Sequence, residues 1–396
     1  MKISIKKTKA ALFLLSIIGL TACNHAAIRK TESEVTSPEV ILETDVKDDI
    51  IIPVTIKNKK YNFLVNTGVS INVIDEKLVD IISSPYLFSD LPSSYKESLS
   101  DQGRINGSQE KYVKAQPFFI GNQEIKDEDF WFSFDLSSLT KEYGINIDGM
   151  IGMESFRKFS WQVDNTKKRL TITKDAPSVF SYSSCAGYSN QPYSMPEISL
   201  QYDEANDVSF QIKTGTSASD IGIVFFNYLT ENKKEKLEHF DNAIVLSKKG
   251  IASTSSYYIL KKMSFNNMLI GDMPVVVNEE NQYHLGMDFL SRFTKYAFIP
   301  SKMMFCFNAQ SIKYNYQTPV RYININYING RLELFKNTDD TLSDTGLKNG
   351  DAILIANNKK YESHQISELR GVLTSTPKGE LKLIIKRGKQ QLELQL

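Results

Sequence analysis

The sequence feature that most constrains the fold is an internal repeat within about residues 50–308. In the first copy, a segment of alternating apolar and polar residues leads into Asn66-Thr67-Gly68 and then Ser70. In the second copy, a similar segment leads into Lys213-Thr214-Gly215 and then Ser217. Alternation with a period of two residues predicts β-strands that bury one face. Because the same strand and turn occur twice, the sequence predicts two similar β lobes.

Two further landmarks recur in the same order. Phe119-Ile120-Gly121 in the first copy corresponds to Leu269-Ile270-Gly271 in the second. Each copy then closes on a Gly, a Met and an acid, at Gly152-Met153-Glu154 and at Gly286-Met287-Asp288. We expect these closing glycines where the backbone packs against the turn and no Cβ fits. Glu154, Asp288 and Asp148 are predicted to begin helices, where an acid is favoured by the helix dipole.

These motifs resemble the retropepsin-like aspartic protease family, in particular two-copy bacterial members that end in a PDZ domain. The resemblance implies a mostly β fold of two β-barrel lobes, at 47–176 and 190–312, followed by a small α+β PDZ-like domain. In that family each lobe contributes an Asp-Thr/Ser-Gly turn. The resemblance also places Ser70 and Ser217 where the family has a Ser that hydrogen-bonds the catalytic carboxylate. With no carboxylate there, we interpret both as turn-capping hydroxyls.

The positions of the catalytic pair carry Asn66 and Lys213 instead of Asp. An aspartic protease needs two carboxylates about 3 Å apart that share one proton. An amide is not basic enough to deprotonate water near neutral pH, and an ammonium has no lone pair to accept the proton. We therefore predict a pseudoprotease that binds peptide or protein segments, with the Asn66 amide oxygen accepting from the Lys213 ammonium. The alternative is an active aspartic-type endopeptidase that uses a desolvated Lys213 or a partner chain.

Other chemistries have little support in the sequence. The four His residues follow no metal-ligand spacing, and we interpret them as surface or structural residues; they are at positions 25, 239, 284 and 364. No metal and no cofactor is expected. The formal charge of +1 gives no basic excess for nucleic-acid binding. If a flap encloses the cleft, its predicted hairpin tip is Gly103–Gly107.

The N-terminus predicts the compartment. Residues 1–22 form a Lys-rich start and an apolar run that is too short to span a bilayer, which is typical of a signal peptide. The run ends in Leu20-Thr21-Ala22-Cys23, which resembles the bacterial lipobox and implies a lipid on Cys23. The alternative is an ordinary secretory peptide with an incidental Cys. Asn24 in place of Asp favours the outer membrane by resemblance to the sorting rule of enteric bacteria. We therefore expect a lipid-anchored envelope protein, facing the periplasm or the cell surface, with a polar tether at 23–46.

Cys185 and Cys306 lie on either side of the second copy. In an oxidising compartment they could form a disulfide, or they could be two buried thiols.

The segment 319–396 resembles a PDZ domain. It has short alternating strands around Gly346-Leu347 and Gly350-Asp351, followed by a helical stretch. The resemblance implies binding of extended peptides by strand addition. The segment before Tyr322 lacks the Gly that usually cradles a terminal carboxylate, which puts capture of C-terminal peptides in doubt. The alternative is a PDZ fold that packs on the lobes as a structural lid.

Overall fold

The computed structural model describes residues 39–43, 49–93, 95–96, 111–126, 129–189, 194–203, 206–246, 252–308, 319–337 and 342–396. Within them the predicted fold class is confirmed, because the chain is mostly β, with two β lobes followed by a small α+β domain. The predicted signal peptide, the lipidation residue Cys23 and the predicted flap tip lie outside these residues. No helix in the described ranges is long and apolar enough to cross a membrane.

Lobe 1 is built on a nine-stranded sheet in the described residues, with the order β5-β6-β9-β4-β10-β3-β2-β7-β8. Its strands are β2 (Ile51–Ile56), β3 (Lys59–Val65), β4 (Val73–Asp75), β5 (Pro85–Tyr86), β6 (Lys111–Lys114), β7 (Phe118–Ile120), β8 (Gln123–Ile125), β9 (Phe130–Phe134) and β10 (Gly149–Ile151). Its helices are α1 (Val79–Ile82), α2 (Ser137–Tyr143) and α3 (Met153–Phe156). The alternation predicted for β2 is confirmed, because Ile52, Val54 and Ile56 are fully buried while Pro53 is exposed.

Lobe 2 is built on a seven-stranded sheet in the described residues, with the order β14-β15-β20-β16-β19-β18-β17. Its strands are β14 (Glu197–Asp203), β15 (Asn206–Ile212), β16 (Asp220–Gly222), β17 (His239–Leu246), β18 (Ala252–Phe265), β19 (Met268–Asn278) and β20 (His284–Leu285). Its helices are α4 (Ile223–Asn227), the π-helical turn Tyr228–Asn232 and α5 (Met287–Leu290). Short 3-10 turns in the described residues are Glu76–Leu78, Phe88–Asp90, Val179–Ser181, Pro300–Lys302 and Ser363–Gln365.

The closing segments of the two copies have the same topology. In lobe 1, β10 lies between β3, to which it is parallel, and β4, to which it is antiparallel. In lobe 2, β20 lies between β15 and β16 in the same two orientations. A Cβ on Gly152 would lie 2.3 Å from the carbonyl oxygen of Ile71, and a Cβ on Gly286 would lie 2.7 Å from that of Ala218. Both closing glycines are therefore required by a close backbone approach, as the sequence predicts.

The mid-copy correspondence predicted from the sequence is wrong. Gly121 lies in the turn between β7 and β8, with a φ of +58°. Gly271 instead lies inside β19, opposite Met263, where the register shifts. The hairpin between β18 and β19 turns at Asn266-Asn267, two residues that both have positive φ. The Ile-Gly pairs of the two copies therefore have different positions in their hairpins. This is possible because Asn266 and Asn267 make the turn between β18 and β19 without a glycine.

In the part of the chain that the structure describes, a six-stranded sheet joins the lobes, with the order β1-β12-β11-β21-β22-β13. Its strands are β1 (Val40–Glu43), β11 (Ser160–Asp164), β12 (Arg169–Thr173), β13 (Ser184–Gly187), β21 (Lys295–Ile299) and β22 (Met304–Phe307). At its centre β11 of the first copy pairs with β21 of the second, with Trp161 opposite Phe298. Both side chains are buried. At its edge Cys185 and Cys306 are opposite each other and form a disulfide, so the structure has the first of the two predicted alternatives.

The predicted tether differs from the structure at its end. The sequence places 23–46 in a polar tether, whereas Val40–Glu43 form β1 and pair with β12. Val40 is only 5% exposed and packs in the core that the lobes share. Four residues are too few to establish a period from the sequence, and the partner strand that buries Val40 is distant in the chain.

The C-terminal domain is a five-stranded antiparallel sheet with one helix against it in the described residues. Its strands are β23 (Ile325–Ile328), β24 (Arg331–Leu334), β25 (Ala352–Ala356), β26 (Lys382–Arg387) and β27 (Gln390–Gln395), and its helix is α6 (Ile366–Ser375). The predicted signature residues stabilise a turn. Gly346 and Gly350 have positive φ, and Leu347 is buried in the domain core. The carboxylate of Asp351 is buried and accepts hydrogen bonds from Arg387 at 2.7 and 2.6 Å.

The C-terminal domain packs on lobe 1 through α2. This helix contacts the edge strand β23 and the helix α6. Nη2 of Arg370, on α6, donates to the carbonyl oxygens of Glu142 and Ile325, each at 2.8 Å. A Cβ on Gly144 would lie 2.0 Å from the carbonyl oxygen of Ser363. The face between β23 and α6 is therefore covered by a helix of the same chain.

The contact between α2 and the C-terminal domain should depend on pH through Glu142. Burial raises the pKa of this carboxyl from 4.5 to about 7, against the lowering effect of Arg370. The folded protein thus binds this proton more tightly than the unfolded chain. The resulting stability is fully present below about pH 4.5 and is lost as the pH rises through 7. Glu142→Gln should therefore be more stable than the wild type at pH 8, by up to about 3 kcal/mol, and equal to it near pH 4.5.

Denaturant unfolding at a series of pH values measures this difference. Glu393→Gln, at an exposed position of β27, is the matched control and should reproduce the wild-type profile. A Glu142→Gln profile parallel to that of the wild type would contradict the assignment.

Candidate functional site

The two predicted turns meet where the lobes join, and their Thr side chains hold each other. The Thr67 hydroxyl donates to the carbonyl oxygen of Ile212 at 2.7 Å and accepts from the Thr214 N–H at 3.0 Å. The Thr214 hydroxyl donates to the carbonyl oxygen of Val65 at 2.7 Å and accepts from the Thr67 N–H at 3.1 Å. Both Thr residues are buried. The turns are therefore related by an approximate twofold arrangement of four hydrogen bonds.

The backbone around each turn repeats the same pattern. The N–H of Asn66 donates to the carbonyl oxygen of Ile151, and that of Lys213 donates to Leu285, each at 2.9 Å. The closing segments also bond back to the turns, through backbone N–H groups that donate to carbonyl oxygens at 2.9 to 3.1 Å. The pairs of donor and acceptor are Met153 and Val69, Met287 and Thr216, Glu154 and Ser70, and Asp288 and Ser217. The carbonyls of Ser70 and Ser217 therefore accept from the two acids, and those of Val69 and Thr216 accept from the two Met residues. The predicted equivalence of the two Gly-Met-acid segments is correct.

Asn66 and Lys213 are both buried, with 4% and 7% of their surface exposed. The amide oxygen of Asn66 accepts from the N–H of Gly68 at 2.9 Å, and its Nδ2 contacts Met150 Sδ at 3.5 Å. A Cβ on Gly215 would lie 2.3 Å from the Asn66 oxygen, and one on Gly68 would lie 3.0 Å from Lys213 Cγ. Each side chain thus lies against the glycine of the opposite turn. The structure brings the two positions of the predicted pair together.

This arrangement cannot share a proton between carboxylates. The Asn66 amide does not titrate in the accessible range, and Lys213 has an amine where such a pair would need a carboxylate. A coupled dyad needs two groups that each gain and lose a proton near the working pH. The described side chains at these two turns are therefore an amide and an amine, and neither turn carries a carboxylate.

The acids near the turns have structural contacts. Glu154 and Asp288 lie in the first turns of α3 and α5, as predicted. Asp288 accepts from the Ser219 hydroxyl at 2.7 Å and from its N–H at 3.1 Å, and burial raises the pKa of Asp288. The prediction for Asp148 is wrong, because this residue precedes β10 and its carboxylate accepts from the Asn62 N–H at 2.8 Å. A strand begins there because Gly149 allows β10 to pass the Phe63 ring, which a Cβ would approach to 2.5 Å.

A cavity of about 540 Å³ opens beside the first turn. Its walls come from the turn of lobe 1, from β14 and β15, and from the segment before β20. The lining residues are Thr67, Gly68, Val69, Ser70, Ser194, Met195, Glu197, Ser209, Gln211, Asn281, Gln282, Tyr283 and His284. Most of these side chains are polar. Among the described residues, no group of three or more His, Cys, Asp or Glu side chains is placed to hold a metal ion.

His284 lines this cavity, whereas the sequence predicts a surface or structural role for it. Its Nδ1 lies 2.9 and 3.0 Å from the two carboxylate oxygens of Asp220. In the matched topology of the copies, His284 on β20 takes the place of Met150 on β10, since each directly precedes the apolar residue before the closing glycine. A His in place of an apolar residue of the other copy is the signal that could have identified the site.

Comparisons with known proteins return structural similarity at low identity. No protein-family model matches the chain. No curated protein matches it. A retropepsin-like aspartic protease from Rickettsia conorii is 17% identical over 34% of this chain and 90% of its own, with a TM-score of 0.23. An aspartic proteinase from Irpex lacteus is 10% identical over 70% of this chain and 99% of its own, with a TM-score of 0.38. Both similarities concern the fold and say nothing about activity or ligand.

Loss of either Thr hydroxyl should destabilise the junction of the lobes. Thr67→Val and Thr214→Val each leave a buried N–H and a buried carbonyl without a partner, and each should lower the free energy of unfolding by about 2–4 kcal/mol. The double variant should lose less than the sum, since both side chains belong to one network. Denaturant unfolding measures these losses.

Two controls test the assignment to the hydroxyls. Thr67→Ser keeps the hydroxyl and should recover most of the loss. Thr173→Val removes a buried hydroxyl that bonds only locally, to the carbonyl oxygen of Asp175, and should cost about 1 kcal/mol. Equal losses in Thr67→Val and Thr67→Ser would assign the effect to packing and contradict the prediction.

Proposed function

We propose that this protein is a lipid-anchored envelope protein that binds peptide or protein segments between its two lobes without cutting them. The observation that carries the proposal is the state of the two turns. Their hydrogen-bonded frame is complete and symmetric, whereas their side chains are the Asn66 amide and the Lys213 ammonium. The frame that would align a carboxylate pair is thus present with no carboxylate at either turn. A pseudoprotease of aspartic-protease type accounts for both facts.

The cleft between the lobes is the favoured binding region. The polar cavity beside Thr67 and Gly68 opens there and has the volume of a small-ligand site. The second proposed region, the PDZ-like face between β23 and α6, is covered by α2, with Arg370 bonded to the Glu142 carbonyl. This cover supports the alternative role of the C-terminal domain as a structural lid. Strand addition beside α6 would require α2 to leave.

Photo-crosslinking in the cleft tests segment binding. With p-benzoylphenylalanine at Gln282, an exposed residue of the cavity, the protein should crosslink to unfolded casein and to proteins of an envelope extract. The same probe at Phe180, which is 95% exposed and does not line the cavity, is the matched control and should give little product. Equal crosslinking from both positions would contradict binding in the cleft.

The same casein, incubated with wild-type protein from pH 3 to 8, should stay intact. Pepstatin-sensitive cleavage would instead establish the alternative, an active endopeptidase. Asn66→Asp combined with Lys213→Asp tests the frame, because gained proteolysis would show that only the carboxylates were missing. Continued inertness of this variant, with crosslinking retained, would show that the cleft itself is remodelled for binding.

The anchor is tested separately. Its support is the segment Leu20-Thr21-Ala22-Cys23, since a lipid on the Cys thiol would hold the protein to a membrane without a spanning helix. Cys23→Ser should move the protein from the membrane fraction to the soluble periplasmic fraction, measured by fractionation of whole cells. A variant that stays in the membrane fraction would overturn the lipid anchor.

A further inference from the structure

The cavity beside the first turn contains a buried imidazole that is fixed in place. His284 is only 3% exposed and lines the cavity. Its Nδ1 lies 2.9 Å from one oxygen of Asp220, and that oxygen also accepts from Asn278 Nδ2 at 2.8 Å. Two neighbours therefore hold the carboxylate and the ring in one orientation. A carboxylate on Nδ1 of a neutral imidazole fixes the tautomer, with the proton on Nδ1 and the lone pair on Nε2.

Nε2, the second ring nitrogen of His284, has no hydrogen-bond partner among the described residues. Among the described residues, the hydrogen bonds of the His284 side chain all run from Nδ1 to Asp220. Nε2 belongs to a lining residue of the cavity and is therefore open to a donor on a bound molecule. A hydrogen bond from such a donor would gain free energy. A molecule bound in the cavity could therefore donate a hydrogen bond to His284 Nε2.

Glu197 adds a charge to the same cavity. It is partly buried on β14, and its side chain makes no hydrogen bond or ion pair with the described residues. It is the only carboxylate among the described lining residues, and none of them is a Lys or an Arg. Ser209 and Gln211 add polar side chains, whereas the Asn281 oxygen already accepts from the Val224 N–H at 3.0 Å. The lining thus offers acceptors and one carboxylate, with no Lys or Arg among its described residues.

We propose that this cavity binds a basic side chain of the captured segment, with a preference for the guanidinium of arginine. A guanidinium offers five N–H donors in a planar fork and no acceptor, which complements the carboxylate of Glu197 and the acceptor nitrogen of a neutral His284. Glu197 accepts from one edge of the fork, and His284 Nε2 accepts a further N–H. Asp220 acts as a positioning residue through His284. This inference rests on the proposed function, since it names the residue type that the cleft would select.

NMR of the full chain with ¹³C-labelled histidine tests the inference. The probes are Nα-acetylarginine methylamide, its citrulline analogue, which has the same shape without the charge, and its norleucine analogue. His284 is identified by the signal that His284→Gln removes. The arginine probe should shift this signal, and the shift should saturate as the probe concentration rises. The affinity for the citrulline probe should be lower by a factor of about ten or more, as expected for loss of a charge-assisted pair. The norleucine probe should give no shift.

Glu197→Gln should weaken binding of the arginine probe about tenfold. Glu279→Gln, an exposed acid of the same region outside the cavity wall, is the matched control and should bind like the wild type. Equal affinity for the arginine and citrulline probes in the wild type would overturn the inference, and so would unchanged affinity in Glu197→Gln. The wild-type comparison remains decisive if a variant fails to fold.

The failure of this inference can be separated from failure of the proposed function. Crosslinking of segments at Gln282 without any preference for arginine would leave segment binding intact and remove the basic-side-chain site. Binding of the arginine probe without crosslinking of segments would leave the site and remove capture of longer chains.

Discussion

The structure depends on the reciprocal hydrogen bonds between Thr67 and Thr214. Each hydroxyl donates to a carbonyl of the opposite lobe and accepts an N–H from it, so four buried polar groups are satisfied by two side chains. Removing either side chain would leave groups that water does not reach, and this mutual dependence fixes how the lobes meet. The six-stranded sheet and its disulfide extend the same junction.

The frame and the chemistry of the site are therefore separable. The frame consists of Thr hydroxyls, glycines and backbone groups, none of which needs a residue at 66 or 213 to carry a charge. Asn66 is accommodated because its amide oxygen accepts from Gly68 and its side chain lies against Gly215, where no Cβ occupies the space. A polar side chain of similar size can thus replace a carboxylate at this turn without loss of the junction. The fold can therefore persist without a carboxylate at either turn.

The sequence predicts this frame well where local chemistry determines it. Strand alternation identifies β2 and β3, and the repeated Thr-Gly turns and closing glycines identify the lobe architecture because close backbone approach admits no other residue. Prediction fails where the deciding partner is distant in the chain. Gly121 and Gly271 occur in the same short motif but lie at different positions in their hairpins. Val40 is a strand residue only because β12 pairs with it. The cover of α2 on the C-terminal domain depends on a contact between residues 228 positions apart.

The comparison of the two copies also shows where function should be sought. Positions where both copies have the same residue type, such as Thr67 and Thr214, belong to the frame, since each lobe needs them in the same way. Positions where the copies differ in chemistry are free of that requirement. At one of these, lobe 1 has the apolar Met150 and lobe 2 has His284 with Asp220 behind it. An apolar residue satisfies the fold there, as lobe 1 demonstrates, so the buried imidazole of lobe 2 is not required by the architecture. The side chain lines the cavity between the lobes, and this cavity is therefore the place to look for a further partner of the imidazole.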